Sequence, residues 1–116
     1  IGEGRLVGAP AKIWFEKHES NVIVLNDTIK DVESHTKDAD IIVLGAGSPG
    51  LLQPQMIKTG VVILDAGTST TKGKLLGDAD PACADKASVF TPVPGGIGQI
   101  TVAMLFKNLL TLTQQT

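Results

Sequence analysis

Apolar residues along this chain fall into short unbroken runs separated by polar or glycine-rich stretches. NVIVL at 21–25, DIIVL at 40–44 and VVIL at 61–64 are rich in β-branched residues and carry no polar alternation. Such runs predict strands covered on both faces, and hence a mainly parallel sheet. Between them the period changes. Residues 9–19 read as a helix opened near Pro10, with Ile13, Trp14 and Phe15 feeding its apolar side. Residues 28–37 read as a short polar helix with Ile29 and Val32 inward, and 53–57 as one or two helical turns. A loop with Gly73, Gly77 and Asp78 precedes a brief strand near 88–90. The final element, 100–113, sets Ile100, Met104, Leu105 and Leu109 at three- and four-residue spacing, which predicts a helix with one apolar side.

The expectation is therefore an α/β fold. Right-handed crossovers put the C-terminal ends of all parallel strands on one rim, and open α/β sheets bind ligands along that rim. Here the rim comprises residues 2–8, 26–27, 45–50, 65–68 and 91–98, and nearly every glycine cluster lies in it. Glycine weakens the interior of helices and strands, so its concentration on one edge suggests backbone approaching a ligand.

Composition narrows the function classes. The 116 residues make one domain, long enough to hide roughly two-thirds of its unfolded surface. Hydrophobic residues at 42% exclude a disordered tail, while aromatics at 3%, with no Tyr, leave no stacking platform for single-stranded nucleic acid. A net charge of −2 argues against an electrostatic nucleic-acid or membrane binder. One cysteine, Cys83, allows neither an internal disulfide nor a cysteine metal cage. It is read as a structural thiol, and His18 and His35 as solvated. Asp78 and Asp80 are read as loop-shaping residues before a cation site, so no metal is expected. No apolar run approaches the ~20 residues of a membrane span. The chain opens on Ile1-Gly2 without Met, as if on the tail of a strand entering a glycine turn, so a fragment is expected.

Three constellations carry chemistry. Gly2-Glu3-Gly4-Arg5-Leu6-Val7-Gly8 has the spacing G-x-G-x-x-x-G, one residue longer than the usual dinucleotide fingerprint. Before a helix it can present amides to a pyrophosphate, and an ordinary glycine turn is the alternative. Asp27 ends the next run, where a carboxylate can accept from an adenosine ribose and repel a 2′-phosphate. It could equally cap the following helix through the amides near Ile29 and Lys30. The third is TPVPGGIGQIT at 91–101, where two prolines restrict the path and three glycines allow a tight turn into the last helix.

TPVPGGIGQIT is very similar to the TPVPGGVGPMT signature of the methylenetetrahydrofolate dehydrogenase/cyclohydrolase family. GEGRLVGAP resembles that family's GRS-x-x-VG-x-P loop, and DADIIVLGAGSPGLL its A-D-I-V-x-x-A-x-G-x-P segment. MIKTGVVILDAG and KLLGDAD resemble its V-K-x-G-A-x-V-I-D-V-G and K-L-x-G-D-V-D stretches. The matches keep the family's order and cover essentially the whole chain, so their combined specificity is high.

The resemblance implies a Rossmann-type three-layer fold spanning 1–116, with its first strand truncated, as the NAD(P)-binding half of a two-domain enzyme. The family oxidises 5,10-methylenetetrahydrofolate by hydride transfer to NAD or NADP, then hydrolyses the methenyl bridge to give 10-formyltetrahydrofolate. A lysine and a tyrosine of the N-terminal domain do most of that chemistry, and this chain has no stretch matching that domain. No catalytic residue is therefore expected here, and the fragment alone is expected to be inactive. A Rossmann sheet without its central first strand would leave two unpaired edges, so residues before Ile1 are expected.

By the same resemblance, Gly2, Glu3, Gly4, Asp27, Gly47, Asp65, Gly67 and Thr68 are cofactor-binding positions. Pro94, Gly95, Gly96 and Gly98 line the tetrahydrofolate and nicotinamide end. Glu3 stands where the family has arginine, and Asp27 where many members have the serine that meets the NADP 2′-phosphate. Two carboxylates there point to NAD over NADP, each opposing a 2′-phosphate by roughly 1 kcal/mol or more if poorly screened. Gln99 replaces the family's proline. A homodimer in the cytoplasm, or in mitochondria of a eukaryote, is also implied. Two alternatives stand beside this reading. One is a non-catalytic dinucleotide-binding module derived from the family. The other is a different dehydrogenase of the same fold, which the PVPGG loop disfavours.

Overall fold

The computed structural model describes residues 1–18 and 20–115. Its centre is a parallel sheet of three strands, β1 (Ile41–Leu44), β2 (Val62–Asp65) and β5 (Val89–Phe90), in the order β1-β2-β5. Ile41 pairs with Val62 and Leu44 with Asp65, so β1 and β2 end level on the same rim. The two long apolar runs became the strands they predict. Their alternate side chains, Ile42, Leu44 and Ile63, pack with Leu52, Ile57, Val61, Ala79 and Cys83 in one core. Full burial of a leucine or isoleucine stabilises by about 1.5–3 kcal/mol, so these few positions dominate the fold. A three-residue 3-10 turn, Pro54–Met56, and a five-residue one, Pro81–Asp85, close the core from below. The second was not expected. Asp80 caps it by accepting from the Ala82 amide at 2.9 Å.

Helix α1 (Gly8–Lys17) matches the first predicted helix, whose expected end at Glu19 lies outside the described residues. Its aromatic cluster does not enter the core: Ile13 and Trp14 are more than half exposed. The His18 ring stacks on Trp14 with centroids 4.0 Å apart. The helix expected over 28–37 shrinks to α2 (Glu33–Thr36), because Asp31 accepts from the Ser34 amide and starts it late. Thr36, not Ile29 or Val32, is its buried residue, and its hydroxyl donates to the Met56 carbonyl at 2.8 Å.

Residues 21–25 correct the expectation of a strand. They form no ladder, although Leu25 is buried. The reason lies beside them. Ile1 occupies the place between this segment and β1: its backbone nitrogen donates to the Val43 carbonyl, and its own carbonyl accepts from Gly45 at 2.9 Å. Gly2 then donates to the Leu25 carbonyl at 2.8 Å. Those contacts exist only at the rim end. Further from the rim, segment 21–25 faces β1 across an open slot of about 580 Å³. A strand needs a partner along its length, and this apolar run has one only at its tip.

Residues 69–76, expected as loop, form an antiparallel hairpin of β3 (Ser69–Thr71) and β4 (Lys74–Leu76). Lys72 and Gly73 both have positive φ, 50° and 76°, the geometry of a two-residue hairpin turn. The last helix, α3 (Ile97–Gln114), is three residues longer at its start than expected and is unlike the predicted half-buried helix. None of its residues is buried, and Leu105 and Phe106 are each 66% exposed.

Candidate functional site

Three rim segments converge on a crevice of about 390 Å³: residues 4–7 after Ile1-Gly2, residues 45–47 after β1, and residues 66–68 after β2. The glycines that frame it are of two kinds. At Gly8 an added Cβ would lie 1.9 Å from the Gly2 carbonyl oxygen, and at Gly45 it would strike Val7, so these two let the loops touch. Gly4 and Gly47 have open space where a Cβ would stand, so they face the crevice.

The loops are set from beneath by two fully buried aspartates. Asp78 accepts from the amides of Ala46 (2.7 Å), Gly47 (3.1 Å) and Ser48 (2.7 Å), fixing the whole loop after β1. Asp65 accepts from Gly67 (2.9 Å), Asp78 (3.2 Å) and Ala79 (2.8 Å). A Cβ at Gly67 would fall 2.1 Å from the Asp78 carboxyl carbon, and one at Gly77 would fall 2.2 Å from an Asp65 oxygen. These glycines make room for the carboxylates. Thr91 completes the frame, accepting from the Asp65 amide at 2.8 Å and joining the third constellation to the end of β2.

Of the positions singled out in the sequence, Gly4, Gly47, Gly67 and Thr68 border the crevice. Gly2 is not on the crevice wall; at φ 92° it donates to the Leu25 carbonyl. Asp65 is 2% exposed and spends its oxygens on backbone amides, so it shapes the rim and does not face the crevice. Glu3 turns toward the next rim turn, where its carboxylate accepts from the Asn26 amide group at 3.4 Å. Asn26 in turn accepts from the Thr28 amide (3.1 Å) and hydroxyl (2.6 Å). The capping alternative for Asp27 is thus corrected: Asn26 holds the turn, and the exposed Asp27 carboxylate has no hydrogen bond or ion pair among the described residues. Pro94, Gly95, Gly96 and Gly98 follow β5 and are not on the crevice walls. Gly96 closes the turn, since its Cβ would meet the Pro92 oxygen at 2.5 Å, whereas Gly95 and Gly98 border open space. Sequence reasoning missed Arg5, Asn26 and Thr91. Arg5 carried a signal as a cation inside the glycine loop; the other two act through contacts across 23 and 26 residues.

Cys83 is fully buried beside the Leu52 carbonyl. Burial first, then the Asp80 charge, pushes its thiol above the ordinary 9.0. Alkylation by a maleimide at pH 7.5 is expected to stay negligible until denaturant unfolds the chain; rapid reaction of the folded protein would contradict this burial. Among the described residues no group of three His, Cys, Asp or Glu is placed to hold a metal, and no helix is long and apolar enough to cross a membrane.

A family model described as tetrahydrofolate dehydrogenase/cyclohydrolase, NAD(P)-binding domain, matches residues 1–116. The chain belongs to this family. A curated relative from Caldanaerobacter subterraneus, called bifunctional protein FolD, is 46% identical over 112 residues, covering 95% of this chain and 40% of its own length. The solved bifunctional dehydrogenase/cyclohydrolase from Campylobacter jejuni superposes with a TM-score of 0.94 at 35% identity, covering 98% of this chain and 41% of that one. The Trypanosoma brucei enzyme, solved with NADP cofactor and an inhibitor, gives 0.91 at 35% identity, with 98% and 42% covered. The fold is therefore the three-layer α/β fold of the FolD nucleotide domain, and the chain spans about 40% of the length of these relatives.

Proposed function

We propose that this domain holds a nicotinamide dinucleotide for a folate-linked dehydrogenase and cyclohydrolase. The observation that carries the reading is the crevice itself, where a glycine loop meets the glycine-bearing turns at the C-terminal ends of parallel strands β1 and β2, the place where open α/β sheets bind nucleotides. Its residues fit such a cofactor: Gly4 and Gly47 leave open space, and 390 Å³ lies within the range of small-molecule sites. In this reading Gly2 and Gly4 shape the first loop while Gly47, Gly67 and Thr68 bound the nicotinamide side. Asp65 and Asp78 keep those walls rigid. When bound, the nicotinamide accepts a hydride from 5,10-methylenetetrahydrofolate. Pro94, Gly95, Gly96 and Gly98 border the folate end, and water then converts the methenyl product to 10-formyltetrahydrofolate.

The groups that handle protons in that chemistry lie outside this chain, in a folate-binding domain preceding it. One feature supports a chain of two domains: α3 displays Leu105, Phe106, Leu109 and Leu110 to solvent. Apolar faces of that size are covered in working proteins. The complete protein is read as a cytoplasmic homodimer that binds no nucleic acid or membrane, and NAD is read as its preferred cofactor because the exposed carboxylates of Glu3 and Asp27 stand at neighbouring rim turns and would oppose a 2′-phosphate there.

The test is reduction of NAD or NADP by the full-length protein with 5,10-methylenetetrahydrofolate. Turnover with either supports the reading. Dinucleotide binding with no turnover would replace it by the non-catalytic module, which the two acidic residues at the ribose end also suit.

A further inference from the structure

The crevice poses an accounting problem for any ligand carrying phosphate. Dinucleotide folds usually hold a pyrophosphate on free backbone amides at a loop and helix N-terminus. Here most of those amides are spent. Ala46, Gly47 and Ser48 donate to Asp78, Gly67 donates to Asp65, Ala66 to Leu44, and Gly45 to Ile1. At the start of α1, Ala9 donates to Gly4 at 3.0 Å, Pro10 has no N–H, and Ala11 is bonded to Val7. The anion-holding capacity left on the walls lies in the segment 4–7 and at Thr68, and the one cation among these residues is in the first. Arg5 lies in that segment. It is the sole arginine of the sequence, it borders the crevice, and no acidic side chain or lysine borders it with Arg5. Arg5 is exposed and its side chain makes no ion pair or hydrogen bond among the described residues, whereas Glu3, two residues earlier, is turned away onto Asn26.

We propose that Arg5 binds the pyrophosphate of the dinucleotide, replacing with a side-chain cation the amides that Asp65 and Asp78 have taken. The guanidinium suits this task, since its planar fork can give two parallel N–H bonds to phosphate oxygens. The inference rests on the reading of the crevice as a dinucleotide site.

The test uses the full-length protein and titrates NAD, NADP, ADP-ribose and adenosine into wild type, Arg5→Ala and Arg5→Lys. Arg5→Ala is expected to weaken NAD, NADP and ADP-ribose by a similar factor, about tenfold or more for a lost charge-assisted contact. Adenosine, which has no phosphate, should bind unchanged, and Arg5→Lys should recover part of the loss. Because Arg5 is exposed and unpartnered, thermal melting of both variants should match wild type. NAD binding by Arg5→Ala within twofold of wild type would overturn the proposal. A loss confined to NADP would overturn it too, placing Arg5 on the 2′-phosphate. Wild type that binds neither dinucleotide would instead remove the reading of the crevice on which the proposal rests.

Discussion

Asp78→Asn is expected to lower the stability of the protein by about 3–5 kcal/mol, more than any surface change in this fold. The carboxylate is fully buried, and both its oxygens are taken by amides of the loop after β1. Asparagine keeps one acceptor and turns an NH2 group toward N–H groups that have no water to meet. Losing one or two bonds to a charged acceptor costs about 1.5–3 kcal/mol each, and the facing donors add to that. Chemical denaturation measures the cost directly. A change below 1 kcal/mol would mean that the loop holds its shape without this aspartate. The variant that does fold should also bind dinucleotide poorly, because Gly47 is bonded to this carboxylate and Gly67 packs against it.

Glu3→Arg is expected to move cofactor preference toward NADP by about ten- to hundredfold relative to NAD. The substitution reverses a charge beside Asn26, at the turn where Asp27 also stands. Two charges 4–6 Å apart near a protein surface interact by about 1–4 kcal/mol, and replacing repulsion by attraction counts twice, less what solvent screening removes. Stability should change little, since Glu3 is exposed and its one contact is long at 3.4 Å. Ratios of Kd for the two cofactors, wild type against variant, check it. An unchanged ratio would place the 2′-position away from Glu3.

How much of this was legible in the sequence depends on how far each feature reaches along the chain. The runs at 40–44 and 61–64 announced their strands because burial on both faces leaves no polar position. The run at 21–25 looks the same and is no strand, since strand pairing is decided by a neighbour and its neighbour here is Ile1-Gly2 alone. The hairpin at 69–76 was hidden in STTKGKLL, whose polar faces lie in solvent and give no apolar alternation. For the site, the rim rule located the glycine loops correctly, because strand order fixes which ends carry loops. The rule is silent on what sets their shape. Asp78 reaches Ala46 across 32 residues, so its residue type suggested a loop-shaping role but not which loop. Asp65 was read as facing the ligand from its place at a strand end. That place also permits the inward turn it takes, and local sequence does not separate the two. The apolar spacing of 100–113 foretold a helix, while what covers α3 is not written in its own residues.

The most direct test of the account is a pair of titrations, NAD and NADP, into the full-length protein under one buffer and salt condition. Both are expected to bind saturably in a single site, with NAD the tighter. Tighter NADP would contradict the role given to Glu3 and Asp27, and binding of neither would contradict the crevice as a dinucleotide site.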